Sequence, residues 1–246
     1  ELLSIYGIDA LRGVTLEEDG TIRIGSLTSF SHITKSPIIQ DHINVLGEAV
    51  DQVGGPQIRN IGTIGGNTCN GVTSADSAST LLAWDAIVEL TGKDGVRRLP
   101  IRDFYMKAGV VDLHPDEIQT AILIPKEAYA GYQGHYIKYA MRNAMDIATT
   151  GCSVNVKLSA DKKTLEDVRI AYGVAGPVPM RCPTAEALAK GKAVSAEVVE
   201  AFGQAVLEDI NPRDSWRASK AFRQHIAVEL AKRALQKSIE LAGGAL

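Results

Sequence analysis

The chain has 246 residues, with 26 Lys and Arg against 29 Asp and Glu, a formal net charge of -3 and 45% apolar residues. That length suits one large or two modest domains, and scattered basic residues in a weakly acidic chain exclude nucleic acid or an anionic membrane as the main partner. No apolar run is long enough to span a bilayer. The three cysteines, Cys69, Cys152 and Cys182, are too widely spaced for a disulfide framework, zinc site or iron-sulfur cluster, which points to a reducing cytoplasm.

Leu2 to Ile5 reads as a short strand, and Glu17-Glu18-Asp19-Gly20 as the turn leading into a strand at Ile22 to Ile24. Phe30 to Thr34 is expected to be a short helix. Pro37 opens a longer one to about Val53, with Ile38, Ile39, Ile43, Leu46 and Val50 near helical spacing, and Gly54-Gly55-Pro56 ends it.

The stretch Gln57 to Asn70, QIRNIGTIGGNTCN, is the most informative in the chain. Gly62, Gly65 and Gly66 allow positive φ and close approach of the backbone to a bulky anion, and successive N-H groups in such turns form an anion-binding nest. Thr63, Asn67 and Asn70 add donors without charge. Asp76 opens the apolar helical run Ala78 to Trp84 as an N-terminal acid, and its carboxylate can accept hydrogen bonds from ligand hydroxyls. The pattern is neither G-x-G-x-x-G nor G-x-x-x-x-G-K-[ST], so on spacing alone a structural turn and a cofactor cradle both remain open.

From Ala86 the pattern becomes β: Ile87 to Leu90, a turn at Lys93-Asp94-Gly95, Val96 to Leu99, a short helix near Arg102 to Tyr105, and Glu117 to Ile124. The polar stretch Pro125 to Gly131 reads as a junction. This divides the chain into residues 1–130 and 131–246. Beyond it come a strand at His135 to Tyr139, a loop over Arg142 to Asp146, and Cys152 to Ser159, whose alternation predicts a half-buried antiparallel strand. Leu165 to Val174 continues the sheet. Helices are expected at Pro183 to Ala189, after the N-cap Ser195, and from about Ser215 to Leu241, with Phe222, Ile226, Leu230, Ala234 and Ile239 on the inward stripe. Trp84 is assigned to the core and Trp216 to an interface. The five histidines show no ligand spacing, and nothing resembles a catalytic triad.

The segment QIRNIGTIGGNTCNGVTSADSASTLLAWDA resembles the second flavin-binding segment of the FAD subunits of molybdenum hydroxylases, most closely those of the bacterial xanthine dehydrogenase type. DALRGVTLEEDGTIRIGSLTSFSHI, YIKYAMRNAMDIATTGCSV, RIAYGVAGPVPMRC and SWRASKAFRQH match in family order and extend the resemblance over nearly the whole chain. It implies an α+β fold with an FAD-binding domain of the vanillyl-alcohol-oxidase type and a small C-terminal α+β domain of the CO dehydrogenase flavoprotein type. It also implies FAD diphosphate contacts from Thr63, Ile64, Gly65, Gly66 and Asn67, a hydroxyl contact from Asp76, and Ile118, Gln119 and Lys138 near the isoalloxazine ring. A cation at Lys138 would favour negative charge on that ring. The loop Arg142 to Ile147 corresponds to a family segment beside the flavin, and Val53 stands where some relatives carry an aromatic residue.

Family members also carry an upstream glycine-rich loop of the A-G-G-T-D type, so a preceding segment is expected. The implied task is electron transfer from iron-sulfur clusters and a molybdopterin centre on partner subunits, through FAD, to NAD+. Alternatives are a sister hydroxylase acting on carbon monoxide, nicotinate or an aromatic thioester, and a flavin-free scaffold subunit.

Overall fold

The computed structural model describes residues 2–246. Its first part comprises β1 (Val14–Leu16), β2 (Ile22–Gly25), α1 (Phe30–Lys35), α2 (Pro37–His42), α3 (Asn44–Val50), α4 (Pro56–Ile61), α5 (Ile64–Cys69), α6 (Asp76–Ala83), β3 (Ile87–Gly92), β4 (Gly95–Pro100), α7 (Ile101–Phe104), β5 (Tyr105–Lys107), β6 (Val110–Val111), β7 (Glu117–Ile124) and α8 (Lys126–Tyr129). The remainder comprises β8 (Tyr132–Tyr139), β9 (Thr150–Leu158), β10 (Leu165–Gly173), β11 (Met180–Arg181), α9 (Pro183–Ala189), α10 (Ala196–Ala205) and α11 (Lys220–Leu241). The fold is α+β, as the resemblance implies.

Two antiparallel sheets organise the chain. The first has the order β1-β2-β7-β3-β4 and the second β11-β10-β9-β8. In the first, β7 is bonded on both sides and its residues Ala121 to Ile124 are buried. The two apolar cores meet at β8. Tyr132 and Tyr136 join the core of Ile22, Leu46, Leu81 and Trp84, while Ile137 and Tyr139 pack on the core of Val154, Tyr172, Phe202 and Leu235.

Helix α6 decides what can sit at this boundary. All eight of its residues are buried, and it packs against α3, β9 and β10, while α11 covers β8 and β9 from the other side. This corrects the expectation that the strand over Cys152 to Ser159 is half-buried. Both faces are covered, so Ser153 and Asn155 are fully buried, and Asn155 Nδ2 donates to the Ala83 carbonyl at 3.1 Å while its Oδ1 has no partner among the described residues.

Other expectations change locally. Leu2 to Ile5 forms no strand among the described residues, which leave out Glu1; Leu2 and Leu3 are exposed. The single helix expected from Pro37 to Val53 is two, α2 and α3, because Ile43 leaves the helical region at φ -141° and ψ 44°. The last helix starts at Lys220 rather than Ser215, since the Ser219 hydroxyl caps it by accepting from Phe222 N. Phe222 is 40% exposed, its ring 5.9 Å from that of Tyr139, and so lies off the buried stripe. Trp84 is buried. Trp216 is exposed, with the Arg217 guanidinium 4.3 Å above its ring. The three cysteines are free, and no described helix is long and apolar enough to cross a membrane.

Candidate functional site

The glycine-rich stretch forms the start of a helix, which corrects the expectation of positive φ at its glycines. Gly62 is extended (φ -61°, ψ 135°) and Gly65 and Gly66 are helical within α5. Thr63 accounts for the difference, because its backbone is extended and its hydroxyl accepts from Gly66 N at 3.2 Å, starting the helix as an N-cap.

The two adjacent glycines have different surroundings. Gly65 is buried and donates its N-H to the Ser26 carbonyl at 2.8 Å. A Cβ there would lie 2.5 Å from Ser26 Cβ and 2.7 Å from the Ser26 carbonyl oxygen, so this glycine lets α5 pack on the end of β2. Gly66 is exposed, and a Cβ there would meet only Thr63 Oγ1, at 3.2 Å. Packing therefore requires Gly65, whereas Gly66 keeps the helix start accessible. The Ile64 side chain is fully buried, and its N-H donates to the Thr28 carbonyl at 3.0 Å.

Asp76 and Lys138, far apart in sequence, form an ion pair at 2.8 Å with both side chains only 7% exposed. Asp76 sits in the first turn of α6, while Tyr136 and Lys138 alternate on one face of β8. Tyr136 donates its hydroxyl to Asp76 Oδ1 at 2.7 Å. Lys138 Nζ donates to Asp76 Oδ2 at 2.8 Å and to the Gln52 carbonyl at 2.9 Å. An ammonium has three N-H donors, so one remains for a ligand. Burial pushes the Asp76 carboxyl up; the hydrogen bond and charge of Lys138 and the bond from Tyr136 oppose it, and the group stays above the ordinary aspartate value. Burial, and then the neighbouring Asp76 carboxylate, hold the Tyr136 hydroxyl well above its usual range.

Two clefts open beside this pair. One, of about 220 Å³, is lined by Val53, Gly54, Asn67, Ala75, Asp76 and Met145 to Ile147, among others. The second, of about 690 Å³, is lined by Gln52, Gly54, Arg59, Lys138 and the loop Ala140 to Asp146, among others. Both share Gly54, Met145 and Asp146. Asn67 Oδ1 accepts from Ser77 Oγ at 2.6 Å, which leaves its Nδ2 donors for other use. Asn67, Asp76 and Lys138 thus converge on neighbouring clefts, together with the Arg142 to Ile147 loop.

Ile118 and Gln119 line neither cleft. Ile118 is 38% exposed, whereas Gln119 is buried beneath α5, its Oε1 accepting from Thr68 Oγ1 at 2.7 Å and Cys69 Sγ at 2.8 Å. Gln119 Nε2 has no hydrogen-bond partner among the described residues. Tyr136 and the Gln52 carbonyl are site groups that the sequence reading missed. Strand alternation put Tyr136 on the face of Lys138, but nothing local pointed either residue at Asp76.

The family described as the FAD binding domain in molybdopterin dehydrogenase matches residues 1–127, and that described as the CO dehydrogenase flavoprotein C-terminal domain matches residues 135–238. This chain belongs to the family of FAD-binding subunits of molybdopterin dehydrogenases. A xanthine dehydrogenase FAD-binding subunit from Escherichia coli is 42% identical over 245 residues, covering 100% of this chain and 83% of the relative. The carbon monoxide dehydrogenase medium chain of Hydrogenophaga pseudoflava is 31% identical over 95% of this chain and 80% of its own length. A solved carbon monoxide dehydrogenase from Hydrogenophaga pseudoflava superposes with a TM-score of 0.88 at 31% identity, covering 95% of this chain and 79% of that one. As a member of this family, the chain is an oxidoreductase subunit.

Proposed function

We propose that this chain carries FAD at the clefts beside α5 and the Asp76-Lys138 pair, in the electron-transfer subunit of a xanthine dehydrogenase-type complex. The observation that carries the reading is the convergence of unused donors on Asn67 and Lys138 with the buried acid Asp76 on neighbouring clefts. These residues fit the group: the neutral amide donors left on Asn67 suit a diphosphate, and a lysine whose charge is balanced suits a ring that changes charge. We assign Thr63, Ile64, Gly65, Gly66 and Asn67 to the diphosphate side, with Ile64 and Gly65 acting by packing α5, Asp76 to ligand hydroxyls and Lys138 to the ring region; Ile118 and Gln119 lie outside both clefts and keep a place at the ring only through the family resemblance. We further assign residues 1–130 to the FAD-binding domain and 131–246 to the C-terminal domain.

When bound, FAD supplies the two-electron redox chemistry; the chain supplies binding, orientation and electrostatics. Electrons would enter from an iron-sulfur subunit fed by a molybdenum-cofactor subunit, and leave to NAD+. The higher identity to the xanthine dehydrogenase subunit than to the carbon monoxide dehydrogenase chain supports the purine-oxidising branch, and the free thiols suit a cytoplasmic assembly.

Visible spectroscopy of the purified chain and of its complex is the direct test, with the two absorption bands of oxidised flavin expected. The FAD-loaded chain should oxidise NADH slowly with an artificial acceptor, leave xanthine untouched, and contain neither iron nor molybdenum. Purine turnover without partners, or stoichiometric iron in the isolated chain, would overturn the electron-relay reading. Absence of flavin bands from the complex would favour a scaffold.

A further inference from the structure

We propose that Tyr136 is a positioning residue: by occupying Asp76 Oδ1, it leaves Oδ2 to hold the Lys138 ammonium at the cofactor clefts. The inference rests on the flavin reading of those clefts. Tyr136 is 2% exposed and its hydroxyl has a defined partner, Asp76 Oδ1 at 2.7 Å, while Oδ2 of the same carboxylate meets Lys138 at 2.8 Å. Both donors come from one face of β8, two residues apart, so the strand presents them to the first turn of α6 as a unit.

The opposing strand supports the arrangement. Gly151 of β9 pairs with Lys138, and a Cβ on it would lie 2.9 Å from Tyr136 Oη. A side chain there would crowd the hydroxyl. The ionisable groups facing Asp76 are Tyr136 and Lys138 from β8, with Cys152 of β9 close to Tyr136 and Asp146 of the loop lining the same cleft.

Removing the hydroxyl would leave Oδ1 as a buried charged oxygen without a donor, and protonation of Asp76 is the readiest relief. A proton on Asp76 discharges the partner that fixes Lys138. Tyr136→Phe should therefore raise the pH at which protonation of Asp76 breaks the pair.

The test has two readouts. In the flavin-free full-length chain carrying 13C-labelled aspartate, NMR titration should show the Asp76 midpoint higher by about one pH unit or more in Tyr136→Phe than in the parent. In the FAD-loaded chain, the pH at which FAD is released on acidification should rise by a similar amount. Asp76→Asn should lack that step. An unchanged Asp76 midpoint would reduce Tyr136 to packing and overturn the inference; a shifted midpoint with unchanged FAD release would overturn its link to the cofactor. If the parent takes up no FAD, the functional reading fails instead, and the NMR titration alone decides whether Tyr136 governs Asp76. Should Tyr136→Phe not fold, Gly151→Ala carries the same expectation, and an unmoved Asp76 midpoint there overturns the inference equally.

Discussion

Two carboxylates in this molecule are buried to nearly the same degree, Glu89 in the first sheet at 5% exposure and Asp76 at the junction at 6%, yet their electrostatics diverge. Glu89 receives Arg23 at 2.8 Å, Arg98 at 2.7 Å and Thr120 at 2.9 Å. Burial alone would raise its carboxyl, but those hydrogen bonds and the Arg23 charge bring it down to about 2. Asp76 has one lysine and one tyrosine, and remains above the ordinary value. A carboxylate that only ties strands together can be surrounded with cations. Asp76 instead keeps a single cationic partner, and a group so placed is a candidate for function on physical grounds.

The largest expected effect comes from breaking the sparser pair. Lys138→Met should destabilise the chain by about 3–5 kcal/mol, because it leaves a buried carboxylate without its cation. Arg98→Met, which leaves Arg23 on Glu89, should cost distinctly less, and urea denaturation of both variants compares them directly. Equal losses would mean that the number of cations does not separate the two sites.

Next come the paired glycines, one packed and one exposed. Gly65→Ala places a Cβ against Ser26 and should cost about 1–3 kcal/mol by overpacking. Gly66→Ala should stay within about 0.5 kcal/mol of the parent while weakening FAD retention, read from flavin absorbance after gel filtration. Flavin retention unchanged in a folded Gly66→Ala protein would take that turn out of the site.

Acid unfolding sharpens the contrast of sign. Glu89 has a folded value below its ordinary one, so the stability it contributes is present above the ordinary glutamate range and is lost as pH falls toward about 2. Asp76 is raised, so its own contribution is greatest at low pH and declines as pH rises through its folded value. Glu89→Gln should therefore flatten the acid limb of a stability-pH curve measured by thermal melts, and Asp76→Asn should not. A flattened limb in Asp76→Asn alone would reverse the assignment.

A modest effect is expected at the cap of α5. Thr63→Ala removes the acceptor for Gly66 N and should cost about 1 kcal/mol, with Thr63→Ser restoring most of it in the same denaturation assay.

Much of this protein was legible in its residues because the information was local. The β2 strand and its turn, β3, β4 and β7, α9, and α10 behind its Ser195 cap all follow from period, turn residues and capping. The glycine-rich stretch was recognisable as special, but not as a helix start, because a lone Thr before Ile-Gly-Gly gives a weak capping signal against the stronger expectation of a glycine turn. What only tertiary structure decided was mutual placement. Whether β9 is covered on one face or two depends on where α6 and α11 land. Which of two adjacent glycines is structural depends on the approach of Ser26. The joining of Asp76, Tyr136 and Lys138 depends on where the first turn of α6 meets β8, across a separation in sequence of about sixty residues. Backbone period and caps act over a few residues, so sequence can report them. Burial and charge compensation are set by neighbours that the chain brings together only after it has folded.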